Sequence, residues 1–68
     1  MSYNGSILKY ERELSQLTQK ELAEILNIKA NTISQYESNQ RRPSVDVLEK
    51  LADYFDVSID YLMGRENK

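Results

Sequence analysis

Asn31 and Gln35 stand four residues apart in a segment whose apolar members, Ile33 and Tyr36, face the other way. Amide side chains one helical turn apart lie on one face, and each can meet adenine N6 and N7 bidentately. Lys29, Ala30 and Thr32 share the outward side. Ala30 cannot hydrogen-bond through its side chain, so any base contact there is apolar, as with a thymine methyl. Gln40-Arg41-Arg42 follows as a short basic loop whose charges suit phosphate oxygens. This is recognition chemistry. The chain has no His and no Cys, so the commonest general base, thiolate metal sites and disulfides are excluded. No Gly-rich phosphate loop is present either, and no catalytic constellation can be assembled.

Two short helices and a tight turn have to position these side chains. Over Leu17–Glu37, Thr18 is an N-cap, and Glu21 three residues later completes a Thr-x-x-Glu capping box. Leu17 and Leu22 are spaced for a hydrophobic staple across that cap. Leu22, Ala23, Ile25 and Leu26 form the inward face of the first of the two helices, with Lys20 and Glu24 turned away. Asn27 breaks the rhythm, since Asn tolerates the left-handed conformation of a tight turn. The second helix, with Ile33 and Tyr36 inward, presents Lys29, Ala30, Asn31, Thr32 and Gln35 outward. This is the pattern of a helix-turn-helix whose second helix enters the major groove.

The flanking chain completes a small domain. With 68 residues there is one core, and a chain this size buries only about 60% of its unfolded surface. Residues 1–5 read as a flexible N-terminus, with Tyr3 suited to packing. From Ser6, the residues Ile7, Leu8, Tyr10, Leu14 and Leu17 recur at helical spacing, ending near Ser15-Gln16. Asn39 ends the third helix. Ser44 caps a fourth helix after Pro43, with Asp46 in its first turn and Val47, Leu48, Leu51, Ala52 and Phe55 as its buried stripe. Ser58 caps a short fifth helix, Val57 is spaced for a staple to Leu62, and Gly64 is its C-terminal stop. Residues 65–68 are a solvated tail. The fold class is all-α: a compact five-helix bundle, residues 6–64, with helices 2 and 3 forming the helix-turn-helix.

Charge is unevenly spread. The formal net charge is −2, unusual for a nucleic-acid-binding domain. Residues 17–45 nevertheless carry a net +1, whereas 46–68 carry −3, so a local positive face is compatible with the total. Asp46, Glu49 and Asp53 follow one solvent-facing stripe, and no Asp-x-Asp-x-Asp-Gly loop is present, so they read as a solvated face or a partner surface. No apolar run approaches a membrane span and no signal peptide opens the chain, which points to the cytoplasm. Tyr54, Tyr61 and Met63 fall outside the core stripe and are available for a dimer contact.

The motifs Leu17-Thr18-Gln19, Glu21-Leu22-Ala23, Thr32-Ile33-Ser34, Tyr36-Glu37, Pro43-Ser44, Leu48, Leu51-Ala52, Val57-Ser58 and Leu62-Met63-Gly64 carry a resemblance. Over Leu8 to Gly64 the chain resembles the phage-repressor-like helix-turn-helix regulators, the XRE or Cro type. The resemblance implies a lambda-repressor-like DNA-binding fold and an operator-binding dimer. It implies that Gln19 touches the DNA backbone and that Lys29, Ala30, Asn31, Thr32 and Gln35 face bases and nearby phosphates. By the same likeness Ser38, Asn39, Arg41 and Arg42 contact phosphate, and Arg12 and Glu37 form an internal salt bridge. Gln16, Asn27 and Asn39 stand where the family usually has Gly, Lys29 replaces its small N-cap hydroxyl, and Glu11 replaces a frequent apolar residue.

The function expected is that of a non-enzymatic transcriptional regulator. It would repress by binding a pseudo-palindromic double-stranded DNA operator as a homodimer, without cofactor, metal, membrane or evident small-molecule ligand. The alternative is an antitoxin-like or adaptor module that offers the acidic fourth-helix face to a protein.

Overall fold

The computed structural model describes residues 3–65. They form α1 (Gly5–Leu14), α2 (Gln19–Leu26), α3 (Ala30–Glu37), α4 (Val45–Phe55) and α5 (Ile59–Leu62), with no strand among the described residues. Side-chain caps start four of the five. Asn4 accepts from the Ser6 amide, Thr18 from Glu21, Ser44 from Val47 and Ser58 from Tyr61. The Thr18–Glu21 capping box closes both ways, satisfying two N–H groups that a helix start leaves open. α3 is the exception: Lys29 makes no side-chain cap.

Each helix ends in a left-handed residue. Gln16, Asn27, Asn39 and Asp56 have φ of 60°, 58°, 66° and 56°, and Gly64 has 76°. The amide one residue later bonds back across the turn each time, as in Leu17 to the Arg12 carbonyl at 3.1 Å and Arg65 to the Asp60 carbonyl at 2.8 Å. These are Schellman closures. Gln16, Asn27 and Asn39 thus adopt the conformation glycine would take most cheaply. Asp56 does so too, which the sequence did not signal.

The core gathers Leu8, Leu22, Ala23, Leu26, Ile33, Tyr36, Leu48, Leu51, Ala52, Leu62 and Met63. Three expectations are corrected. Ile25 is 46% exposed, because on 100°-per-residue geometry it lies roughly 110° from the direction shared by Leu22, Ala23 and Leu26. Leu14 is 58% exposed, since α1 turns Gly5, Leu8, Glu11 and Arg12 inward instead. Met63, expected outside the core, is only 2% exposed. The closure at Gly64 folds the end of α5 back over its own last turn and draws Met63 in with Leu62.

α1 also begins earlier than its apolar spacing suggests. Gly5, assigned to the flexible N-terminus, is its first residue and is buried. A Cβ there would overlap the backbone carbonyl oxygens of Tyr36 and Glu37, so glycine is what lets α1 start against the end of α3. The Gly5 amide donates to Asn39 Oδ1 at 2.8 Å, locking the two ends together. Of the expected N-terminal segment, residues 1 and 2 lie outside the described residues; of the expected tail, residues 66–68 do.

Candidate nucleic-acid interface

α3 stands on the surface because its two ends are built into the domain. At its start, Asn27 turns the chain in the left-handed region and the Ile28 amide reaches the Ala23 carbonyl at 2.9 Å. Ile28 packs against the core from this turn, which fixes where α3 begins relative to α2. Ile33 and Tyr36 anchor its inner side with 0% and 4% exposure.

The face left outward holds the residues named from the sequence, to different degrees. Lys29 and Asn31 are exposed; Thr32 and Gln35 are half-buried, one and four residues beyond Asn31. Ala30 is also half-buried, but it packs partly against the core cluster, so less of it faces solvent than its outward assignment implies. Ser34, half-buried, completes the rim and was not singled out. With the Lys29 side chain making no cap, the first backbone N–H groups of α3 keep their capacity for an acceptor from outside.

The proposed phosphate group is more divided. Arg41 and Arg42 are exposed beyond the C-terminal end of α3, where the Gln40 and Arg41 amides both bond to the Gln35 carbonyl, at 2.9 and 3.2 Å. Arg42 Nη2 also lies 3.9 Å from Met63 Sδ, which tethers the arginine to the α5 end. Ser38 is exposed and its hydroxyl donates to the Gln35 carbonyl at 3.3 Å. Asn39 is exposed, but its side-chain oxygen is taken by Gly5. Gln19 is half-buried and its Nε2 donates to Glu37 Oε1 at 3.0 Å.

That last bond joins the interface to a buried ionic network. Arg12 Nε meets Glu37 Oε2 at 2.6 Å and Nη2 meets Oε1 at 3.1 Å. Arg12 Nη1 donates to the Leu17 carbonyl at 2.7 Å. The hydrogen-bonded Glu37 carboxylate raises the Arg12 pKa, against burial, which lowers it. One carboxylate therefore holds α1 through Arg12 and the start of α2 through Gln19, from the last residue of α3.

A second polar contact joins α1 to α5. Glu11 is 3% exposed, and Tyr61 donates its hydroxyl to Glu11 Oε2 at 2.8 Å. An acid on the inner face of α1 is thereby accommodated. Burial, and then the bond to Glu11, push the Tyr61 phenol up to about 12. Tyr54 is 44% exposed and meets Phe55 edge-on, ring centres 5.1 Å apart. Of the three expected dimer-contact residues, Tyr54 is on the surface, Tyr61 is half-buried and Met63 is inside.

The sequence did not reveal Gly5, Asn4 or the Gln19–Glu37 bond. Asn4-Gly5-Ser6 did carry a cap signal, since Asn is among the best N-cap residues.

Comparison with known proteins agrees with this arrangement. A family model described as Helix-turn-helix matches residues 8–62. The chain is 47% identical over 62 residues to the HTH-type transcriptional regulator ImmR of Bacillus subtilis, covering 91% of this chain and 49% of that protein. It is 48% identical over 46 residues to AnsR, another HTH-type transcriptional regulator of B. subtilis, covering 68% of this chain and 40% of the relative. The chain thus spans about half the length of the curated relatives it matches, or less. Among solved structures, a transcriptional regulator from Listeria innocua superposes with a TM-score of 0.88 at 29% identity, over 100% of this chain and 64% of that one. The short turn between α2 and α3, the outward face of α3 and these matches lead to one conclusion: the chain belongs to the XRE-type helix-turn-helix family of transcriptional regulators.

Proposed function

We propose that the chain is a sequence-specific repressor that places α3 in the major groove of double-stranded DNA and acts as a homodimer on a pseudo-palindromic operator. The observation that carries this reading is the outward face of α3, where Asn31 and Gln35 sit one turn apart beside Lys29 and Thr32. Asn31 and Gln35 supply the direct readout, with Lys29 and Thr32 assisting and Ala30 offering its methyl. Arg41, Arg42, Ser38 and the free amide end of Asn39 take phosphates. Gln19 keeps one N–H for a phosphate while its other bond goes to Glu37. Repression follows from occupancy: a domain that covers the major groove blocks whatever else must read it. The reading is non-enzymatic and needs no cofactor, and its place of action is the cytoplasm, with the DNA.

The dimer is required by magnitude. One copy offers few base contacts, whereas specific DNA affinities are typically on the order of 10⁻⁸ M or tighter. Two copies reading half-sites roughly 34 Å apart double the contacts. Tyr54 and the exposed part of Tyr61 are the surface for it.

Binding-site selection from random duplexes tests the reading directly. Recovery of a two-fold-related site, bound by two chains with a steep salt dependence, is expected. No binding to any duplex at low salt would move the assignment to a protein partner on α4, where Asp46, Glu49 and Asp53 are exposed.

A further inference from the structure

Asn4 and Gly5 are adjacent, and each is in place for a structural reason. Asn4 is the N-cap of α1: its Oδ1 accepts from the Ser6 amide at 3.0 Å and from the Ser6 hydroxyl at 2.7 Å. Gly5 is buried, and a Cβ there would overlap the Tyr36 and Glu37 carbonyl oxygens. Side by side they make an Asn-Gly pair, in which the backbone is most prone to attack the asparagine side chain. With no Cβ beside it, the glycine nitrogen reaches the asparagine Cγ with least hindrance. The packing that demands glycine at position 5 thus installs a reactive pair at the start of α1.

The reaction is a ring closure followed by hydrolysis. The Gly5 nitrogen attacks Asn4 Cγ and a bond forms between them. The Cγ–Nδ2 bond breaks, and ammonia leaves with the proton from the Gly5 nitrogen. Water then opens the cyclic imide. Attack at Cγ yields aspartate; attack at the main-chain carbonyl carbon yields isoaspartate, whose backbone runs through the former side chain. Nothing is oxidised or reduced, and water is the co-reactant.

The folded domain opposes each requirement of that closure. The Gly5 N–H is committed to Asn39 Oδ1 at 2.8 Å, from 34 residues along the chain. The Asn4 side chain is held toward Ser6 by two bonds. Closure also requires the Gly5 nitrogen to eclipse Asn4 Cβ about the Cα–C bond, which in an L-residue is a strongly negative ψ. Asn4 has ψ of 108°, so the nitrogen is turned well away from Cγ. Reaching the ring therefore means opening the first turn of α1 and breaking the Gly5–Asn39 bond. We infer that Asn4-Gly5 is a deamidation site held closed by the bond between Gly5 and Asn39, modified by water only when the start of α1 parts from the end of α3. Its two products differ in consequence. Aspartate caps a helix about as well as asparagine. The extra backbone methylene of isoaspartate instead shifts Gly5 out of a fit with no room for even a Cβ.

Deamidation of the full chain, incubated at mildly alkaline pH and followed by peptide mass mapping, tests this, with isoaspartate resolved from aspartate by chromatography. In the folded wild type the rate should be about tenfold or more below that in unfolding urea, because a local opening must come first. Asn39→Gly removes the acceptor and suits the φ of 66° at that position, so the fold is kept and the folded rate should rise severalfold. Asn39→Asp restores an acceptor oxygen and should bring the rate back toward wild type. In urea all three chains should match; a difference there would place the effect in the unfolded chain and overturn the inference. It is equally overturned if the folded wild type reacts as fast as the unfolded chain, or if folded Asn39→Gly reacts no faster than folded wild type. Asn4→Asp should melt like the wild type, and purified isoaspartate chain at a lower midpoint. Equal midpoints for all three would overturn the consequence assigned to isoaspartate.

Discussion

Arg12 and Glu37 face each other as a two-pronged ion pair inside the domain, with contacts of 2.6 and 3.1 Å. Their side chains are 10% and 4% exposed. They lie on α1 and at the end of α3, so the pair fixes α3 against α1.

Removing one partner leaves the other charged and buried. Arg12→Met should destabilise the domain by about 3–5 kcal/mol, the scale for an uncompensated buried charge. Adding Glu37→Met should recover part of that loss. Urea melts of both singles and the double decide it; a single-mutant loss below about 1 kcal/mol is the behaviour of an exposed pair and would contradict the burial.

Tyr61 makes stability depend on alkaline pH. Its phenol is raised from 10.0 to about 12 in the folded domain, so the unfolded chain loses this proton first. The stability linked to it is fully present below pH 10 and drains away as pH rises through about 12. Wild type and Tyr61→Phe, compared by urea midpoint against pH, should keep a constant gap up to about pH 10 and converge above it. A gap that stays constant to pH 12 would count against the burial of the Tyr61 phenol and its bond to Glu11.

Gln16 holds φ of 60°, where a side chain is strained and glycine is not. Gln16→Gly should therefore stabilise the domain by roughly 0.5–1 kcal/mol, the left-handed cost less the entropy of a new glycine. Asn27→Gly should gain less, because Asn tolerates this region better. Thermal melts in which Gln16→Gly loses stability would show that its side chain contributes more than its backbone costs.

Gln35 and Arg42 should separate base reading from phosphate anchoring. Gln35→Ala is expected to cost about 1–3 kcal/mol on the selected site and to relax preference at one base position. Arg42→Ala should weaken all duplexes alike and flatten the salt slope by about one unit. Equal losses for Gln35→Ala on selected and random duplexes would remove it from the base readers; an unchanged slope would retire Arg42.

What the sequence by itself determined is what depends on near neighbours. Thr18 and Glu21, Ser44 and Ser58 are caps because each reaches an amide within three residues. Asn27, Asn39 and Gly64 end helices because left-handed backbone is a property of the residue type. The inner side of α3 was legible for the same reason, since Ile33 and Tyr36 lie within one turn of each other. Tertiary structure alone decided the rest, since those outcomes depend on what arrives from far along the chain. Glu11 is buried because Tyr61, 50 residues on, brings it a donor. Gly5 is buried against the Tyr36 and Glu37 carbonyls, and Gln19 bonds to Glu37 18 residues away. Met63 is inside and Ile25 outside because helical periodicity orders residues around an axis without saying which neighbouring helix covers which arc.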